Sequence, residues 1–330
     1  MTDWGNLSMP ATVTHAYFAK DVCEVLPDEI QSKVDVNRCK TFGQSHDCFM
    51  FYNLFSLLPG KKIRDFSGYF QSHNTQEFFV NILKYIRDNE IDDVDTYSFL
   101  VGSICHYALD STLHPYIIYR TGIFDKKKPS TYKYNNVHAF MEAFIDNDMI
   151  RRRECVNPYR FDHGKFCFDL KPFSNSLNQT IRFTFYNTYH LNNMDKVYYK
   201  SLKQMKSAIM TFRRDPIGFK RGVYQFFDTI TPRRTYRFEA ISYHYPLEDK
   251  HNYLNSNHSL WRHPVSYDVT SRESFVDLYL RAIKLAKILV CASFDYIHKK
   301  DIDLEKIFPN ISYVTGLNCE DNREIKYFDF

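Results

Sequence analysis

Two short runs hold the residues best able to do chemistry. The first is Ile104-Cys105-His106-Tyr107-Ala108-Leu109-Asp110, continued by Ser111-Thr112-Leu113-His114-Pro115. The second is Val137-His138-Ala139-Phe140-Met141-Glu142. Each sets a histidine four residues before a carboxylate. On a helix that spacing stacks the two side chains, with β-carbons roughly 5–6 Å apart. A polar pair in an apolar helix is costly to bury unless something satisfies it. An imidazole nitrogen and a carboxylate oxygen together suit zinc, a borderline ion that accepts both donors. A single such pair reads more simply as a solvated or structural contact. Two of them within forty residues, both among apolar neighbours, favour a metal.

Other polar residues join this set from further off. Thr14-His15 opens an apolar stretch that Pro27 closes, which predicts a helix with Thr14 as its N-cap. At a helix start a charged imidazole opposes the dipole, so His15 reads either as a capping group or as a neutral ligand. Asp47 follows the turn Gly43-Gln44-Ser45-His46 and can cap the next helix or ligate. His46 has no evident partner and reads as ordinary. His73 stands directly before Asn74-Thr75, the predicted start of a helix through Asp88. His244, His251, His258 and His263 have spacings that suit no helix turn, among Pro and Asn residues that predict loop.

The elements that must position these groups read as helical. Glycine is scarce, ten in 330 residues, which fits helices better than turn-rich sheet. A helix is predicted from Tyr97 to His114, ending at Pro115, and another around His138 and Glu142, closing near Met149. Asp92, Asp93 and Asp95 read as a solvated connector. The longest stripe runs from Ser274 to Ile297, with Phe275, Leu278, Tyr279, Ala282, Ala286 and Leu289 on one face, and reads as core. The fold class is therefore all-α: a bundle-like domain with a metal cluster in a cleft and a helical C-terminal extension. The division expected is a core over residues 1–160 and a helical part over 161–330 packed on it as one continuous domain.

Composition narrows the function. The net charge of +4 is too small to imply nucleic acid. From 151 to 250, Lys and Arg outnumber Asp and Glu about two to one. Arg151-Arg152-Arg153, Arg213-Arg214 and Arg233-Arg234 read either as solvated helix faces or as a rim that attracts an anionic substrate. No apolar run reaches the roughly eighteen residues that span a bilayer. Met1-Thr2-Asp3-Trp4-Gly5 lacks the features of a secretory signal, and the eight cysteines show no CxxC spacing. Free thiols and a cytoplasmic location are the expectation.

Taken in order, Thr14-His15-Ala16-Tyr17-Phe18, Gly43-Gln44-Ser45-His46-Asp47-Cys48-Phe49, Gly68-Tyr69-Phe70-Gln71-Ser72-His73, His106-Tyr107-Ala108-Leu109-Asp110 and His138-Ala139-Phe140-Met141-Glu142 resemble the zinc-dependent phospholipase C family. That zinc-cluster architecture is shared with fungal single-strand nucleases. The resemblance covers residues 9–160. Asn257-His258-Ser259-Leu260-Trp261 and the helix after it look similar to the C-terminal part of intracellular bacterial members.

The resemblance implies a mostly helical fold with two or three zinc ions in a cleft. By that likeness Asp47, His73, His106 and Asp110 form one zinc site, and His114, His138 and Glu142 form a second. Asp110 bridges towards a third ion that His15 also binds, and Asp47 is the residue that orients or deprotonates water. The family's secreted enzymes place a mature N-terminal Trp on the third ion. Here Trp4 is internal and Met9 is an alternative start, which favours two ions. The implied function is a zinc-dependent phosphoric ester hydrolase acting on a phospholipid headgroup or a soluble phosphodiester, with peripheral membrane contact. A single-strand nuclease and a non-catalytic, metal-stabilised binding protein are the other readings.

Overall fold

A computed structural model describes residues 11–232, 238–244, 249 and 251–329. Trp4, Met9 and the Arg233-Arg234 pair lie outside the described residues. Among the described residues thirteen α-helices follow one another. They are α1 (Thr12–Val25), α2 (Asp28–Gln31), α3 (Val36–Phe42), α4 (Lys61–Phe70), α5 (Thr75–Asp88), α6 (Val94–Thr121), α7 (Val137–Glu154), α8 (His163–Cys167), α9 (Asn175–Tyr189), α10 (Met194–Ala208), α11 (Phe219–Ile230), α12 (Phe275–Ile297) and α13 (Leu304–Ile307). The chain is thus mostly helical, as its composition predicts. One feature differs from the expected loop: Trp261–His263 and Ser266–Ser271 pair as a small antiparallel hairpin.

Helix α6 runs through the middle. It is buried on nearly every side and packs against α1, α3, α7, α9 and α12. Pro115 does not end it. A proline inside a helix removes one hydrogen bond and crowds the carbonyl four residues back, a cost of about 3 kcal/mol. Here Tyr116, Ile117 and Ile118 are buried beyond the proline, and their packing carries the helix on to Thr121. The carbonyl freed by Pro115 belongs to Ser111. Gly316 comes up against it with φ +65°, and a β-carbon on that glycine would stand 2.5 Å from the Ser111 oxygen.

Helix α1 begins two residues before Thr14, so Thr14 is not its cap. The capping is done from another helix. Asp146 of α7 accepts from the backbone N–H of Val13 (3.2 Å) and from both the N–H (2.8 Å) and the hydroxyl (2.7 Å) of Thr14. The acidic connector is likewise structural rather than merely solvated. Asp93 caps α6 through the Thr96 N–H, and Asp95 holds the buried Arg38 guanidinium at 2.7 Å. Helix α12 opens on a capping box between Ser274 and Asp277 and lays its apolar stripe along α6. All eight cysteines are free thiols.

Among the described residues the basic clusters are engaged within the fold. Arg151 and Arg152 pair with Asp148, and Arg153 pairs with Asp21. Arg213 is buried, with its guanidinium over the Tyr243 ring. The C-terminal segment docks on the body. Phe308 stacks on Phe79, and the Tyr313 N–H donates to the carbonyl of Gln71 at 2.8 Å.

Candidate metal centre

Four elements converge on one buried space. Helix α1 brings His15, α6 brings His106, Asp110 and His114, and α7 brings His138 and Glu142. A short 3₁₀ helix, Ser45–Phe51, brings Asp47. The helical period sets the spacing within α6 and α7, and the packing of α6 against α1 and α7 sets the rest.

The ligand atoms form two groups. His15, Asp47 and His106 are all buried, and each offers an atom within 4.8 Å of the others. His114, His138 and Glu142 do the same. Asp110 lies between the groups. Its Oδ2 is 3.0 Å from His106 Nε2 and 3.8 Å from His114 Nδ1, and its Oδ1 is 3.4 Å from His15 Nε2. Asp47 Oδ2 stands 3.8 Å from His106 Nε2. In the second group His138 Nε2 lies 3.0 Å from Glu142 Oε1.

Backbone carbonyls orient two of the rings. His106 Nδ1 donates to the Gly43 carbonyl at 2.7 Å, and His114 Nδ1 donates to the Tyr313 carbonyl at 2.9 Å. A carbonyl can only accept, so Nδ1 carries the proton and the lone pair is left on Nε2. This is the outer-shell arrangement that metal-binding histidines use to fix their tautomer. The rings of His15 and His106 stack in parallel at 4.2 Å.

The electrostatics are unbalanced without a cation. Burial and the neighbouring His106 push His15 down to about 3. Burial pushes Asp47 up to about 7. Burial opposes charge on His106, but the Asp110 and Asp47 carboxylates outweigh it and raise it to about 9. Burial also acts to raise Asp110, and His106, His114 and His15 together hold it well below the ordinary carboxylate range. His15 Nδ1 and His106 Nε2 are buried with no aligned hydrogen bond among the described residues. Buried imidazoles crowded among carboxylates are the donor set zinc takes.

His73 is not among these groups. Its ring is exposed, stacked on Tyr69 at 3.9 Å, with Nδ1 held at 3.0 Å by the Tyr69 carbonyl. The turn into α5, with Asn74 at φ 55°, carries it outward. His46, which reads as ordinary in the sequence, lies at the cluster instead. It is buried between Phe70 (4.8 Å) and His106 (4.7 Å), with Nε2 3.5 Å from Asp47 Oδ1. Neither of its ring nitrogens has a hydrogen-bond partner among the described residues. Its place beside Asp47 in the sequence was the available signal. Tyr313 had none: from the C-terminal segment its buried ring reaches His46 at 5.3 Å and His106 at 5.9 Å. Phe49, Phe51 and Phe70 beside the cluster are core.

The model of the family described as zinc dependent phospholipase C matches residues 14–210. That span holds every residue of both groups, including His15 near its start. The chain matches no curated protein and no solved structure. With more than half its length matched and the two His/Asp/Glu groups facing each other across Asp110, the chain belongs to the zinc-dependent phospholipase C family.

Proposed function

We propose that this protein is a zinc-dependent hydrolase that cleaves the phosphodiester of a phospholipid headgroup. The observation that carries the reading is Asp110, whose two oxygens lie 3.0–3.8 Å from histidines of both groups. A carboxylate so placed links two ion sites. His15, Asp47, His106 and Asp110 would hold one ion, with His46 beside them, and His114, His138 and Glu142 a second.

Zinc there supplies Lewis-acid stabilisation of phosphate charge and water of lowered pKa. The remaining work falls to the chain. Asp47, set at the cluster by the 3₁₀ helix Ser45–Phe51, takes the proton of the attacking water on its second carboxylate oxygen. Gly43 and Tyr313 keep the His106 and His114 rings from turning. Phe70 and Tyr313 close off bulk water behind His46, which strengthens every charge interaction in the site.

The test is zinc per chain on protein purified without chelator or metal-binding tag, beside hydrolysis of phosphatidylcholine, a soluble aryl phosphodiester and a single-stranded oligonucleotide. Two bound zinc ions and chelator-sensitive release of the lipid headgroup are expected. A folded protein that takes up no zinc overturns the reading. Zinc retained with none of the three substrates cleaved leaves a metal-stabilised binding protein, and cleavage of the oligonucleotide alone leaves a nuclease.

A further inference from the structure

Helix α11 is amphipathic in the wrong sense for a helix on a globular protein. Its apolar residues Phe219, Val223, Phe226, Phe227 and Ile230 recur at i, i+4, i+7, i+8 and i+11, which is one face of a helix. That face normally turns inward, yet no residue of α11 is buried. Phe219 is 69 % exposed, Phe226 62 % and Ile230 62 %, and Ile217 just before the helix is 83 % exposed.

The polar face is the one that docks. Asp215 accepts from the N–H groups of Lys220 and Arg221 at the start of the helix. The Lys220 ammonium donates to the Thr211 and Arg214 carbonyls, and the Arg221 guanidinium and Gln225 amide to Glu239. Tyr224 Oη donates to the Phe212 carbonyl, and Asp228 accepts from the N–H groups of Phe238 and Glu239. These contacts come from the arc opposite the phenylalanines. They hold the helix with its apolar stripe facing out, so the exposure is built in and is not a helix that failed to pack.

A second apolar feature joins this face. The chain leaves the 3₁₀ helix of Asp47 and makes a loop in which Phe55 is 70 % exposed, Leu58 60 %, and Leu57 fully so. Phe55 packs against Phe212 at 4.7 Å, and Phe212 is the residue whose carbonyl Tyr224 of α11 holds. Phe212 thus ties the loop to the base of α11. Exposed Lys61 and Lys62 follow the loop directly, and Lys203 is exposed on α10 beside Gln204, which holds Asn53 of the loop at 2.9 Å.

We propose that this surface is a membrane-docking face: α11 lies in the plane of an anionic bilayer with its phenylalanines below the headgroups, and Leu57-Leu58 enter beside it. An exposed apolar face of this kind marks a site of association. Three features favour lipid over protein. The stripe is aromatic and aliphatic on a helix laid along the surface, the form interfacial helices take. The adjoining loop ends in a fully exposed leucine, a protrusion that suits a fluid phase. The flanking charge is positive: Lys62 is exposed at the foot of the loop, and α11 and α10 belong to the segment 151–250, where basic residues outnumber acidic about two to one. The inference deepens the phospholipid reading above and rests on it for the choice of lipid surface.

The test is flotation of the zinc-loaded full chain with vesicles of phosphatidylcholine containing phosphatidylserine, at low and at raised salt. Binding is expected, weaker at raised salt. The double variants Phe226→Ser/Phe227→Ser and Leu57→Ser/Leu58→Ser should each bind at least tenfold less. Because these side chains are exposed, both variants should keep the helical circular dichroism of the parent, and the two lie on separate elements should one fail to fold. No flotation of the parent, or equal flotation of parent and variants, overturns the proposal. A dimer in light scattering that dissociates in the Phe226→Ser/Phe227→Ser variant also overturns it and makes the face a self-interface. A soluble aryl phosphodiester assayed in parallel on the parent keeps the two readings apart: turnover there without flotation removes the docking face and leaves the hydrolase.

Discussion

Two of the buried carboxylates of helix α7, Glu142 and Asp146, stand one turn apart, and each belongs to a different cluster. Asp146 faces a network the protein completes for itself. It accepts from two backbone N–H groups and a hydroxyl at the start of α1 and from Tyr243 Oη at 3.1 Å, and the Arg213 guanidinium bonds that same Tyr243 hydroxyl at 3.0 Å. Glu142 faces the other cluster, where three carboxylates and five histidines crowd together and the ion pairs among the described residues run between carboxylate and imidazole. One region answers its buried acid with donors and a cation from the chain. Both regions leave imidazole nitrogens without an aligned partner among the described residues, those of His163 in the first and of His15, His46 and His106 in the second, but only the second gathers carboxylates around them. The contrast separates a buried polar group that serves the fold from one set among residues that could hold a metal ion.

The comparison breaks most readily at Asp110. Asp110→Asn keeps the shape and removes the charge that both groups share, so activity should fall by more than about 100-fold and zinc per chain should drop. Full zinc and full rate in that variant would mean Asp110 links nothing. Asp146→Ala should act oppositely, on stability. Leaving the Val13 and Thr14 N–H groups and the Thr14 and Tyr243 hydroxyls without their buried acceptor costs about 3 kcal/mol, read as a lower urea midpoint. An unchanged midpoint would show that the network is not self-completing.

His46→Phe sharpens the contrast within the metal cluster. An unsatisfied buried polar group costs about 1–3 kcal/mol. Phenylalanine keeps the stacking on Phe70 and loses both idle nitrogens. The variant should therefore be more stable than the parent in chelator and hold less zinc. Lower stability in chelator would show that His46 has a partner within the fold.

The smallest effect belongs to His163, buried beside the self-completed network and stacked on Tyr243 at 4.2 Å. Burial, then Arg213, lowers its pKa to about 3. The unfolded chain binds the proton first, near 6.5. The stability that neutral His163 contributes is thus complete above pH 6.5 and is lost as pH falls towards 3. At about 1.4 kcal/mol per unit, the parent should lose about 2 kcal/mol more than His163→Phe between pH 7 and pH 5. Parallel pH curves for the two proteins would show that His163 is accessible to protons in the fold.

Several parts of this were legible in the chain because they are local. The pairs His106/Asp110 and His138/Glu142 follow from the helical period alone, and so does the stripe of α12 with its Ser274 start. The scarcity of glycine pointed to helices, and the order of the motifs pointed to the family. What was misread depended on distant contacts. Thr14 looks like a cap because its neighbours suit one, but the acid that does the capping is 132 residues away. Pro115 looks like a stop, and burial of the next turn overrides it. His73 and His46 cannot be told apart by spacing, since the backbone turn at Asn74 sends one outward and the packing of Phe70 keeps the other in.

The sequence by itself determined which residues pair along a helix, because neighbours three and four apart meet whatever surrounds them. Only the tertiary structure decided that Asp110 lies between two groups, that the carbonyl of Tyr313 orients a histidine 199 residues away, and that α11 turns its phenylalanines outward. Each of those depends on how separate elements pack, and periodicity within one element does not encode the direction from which another approaches.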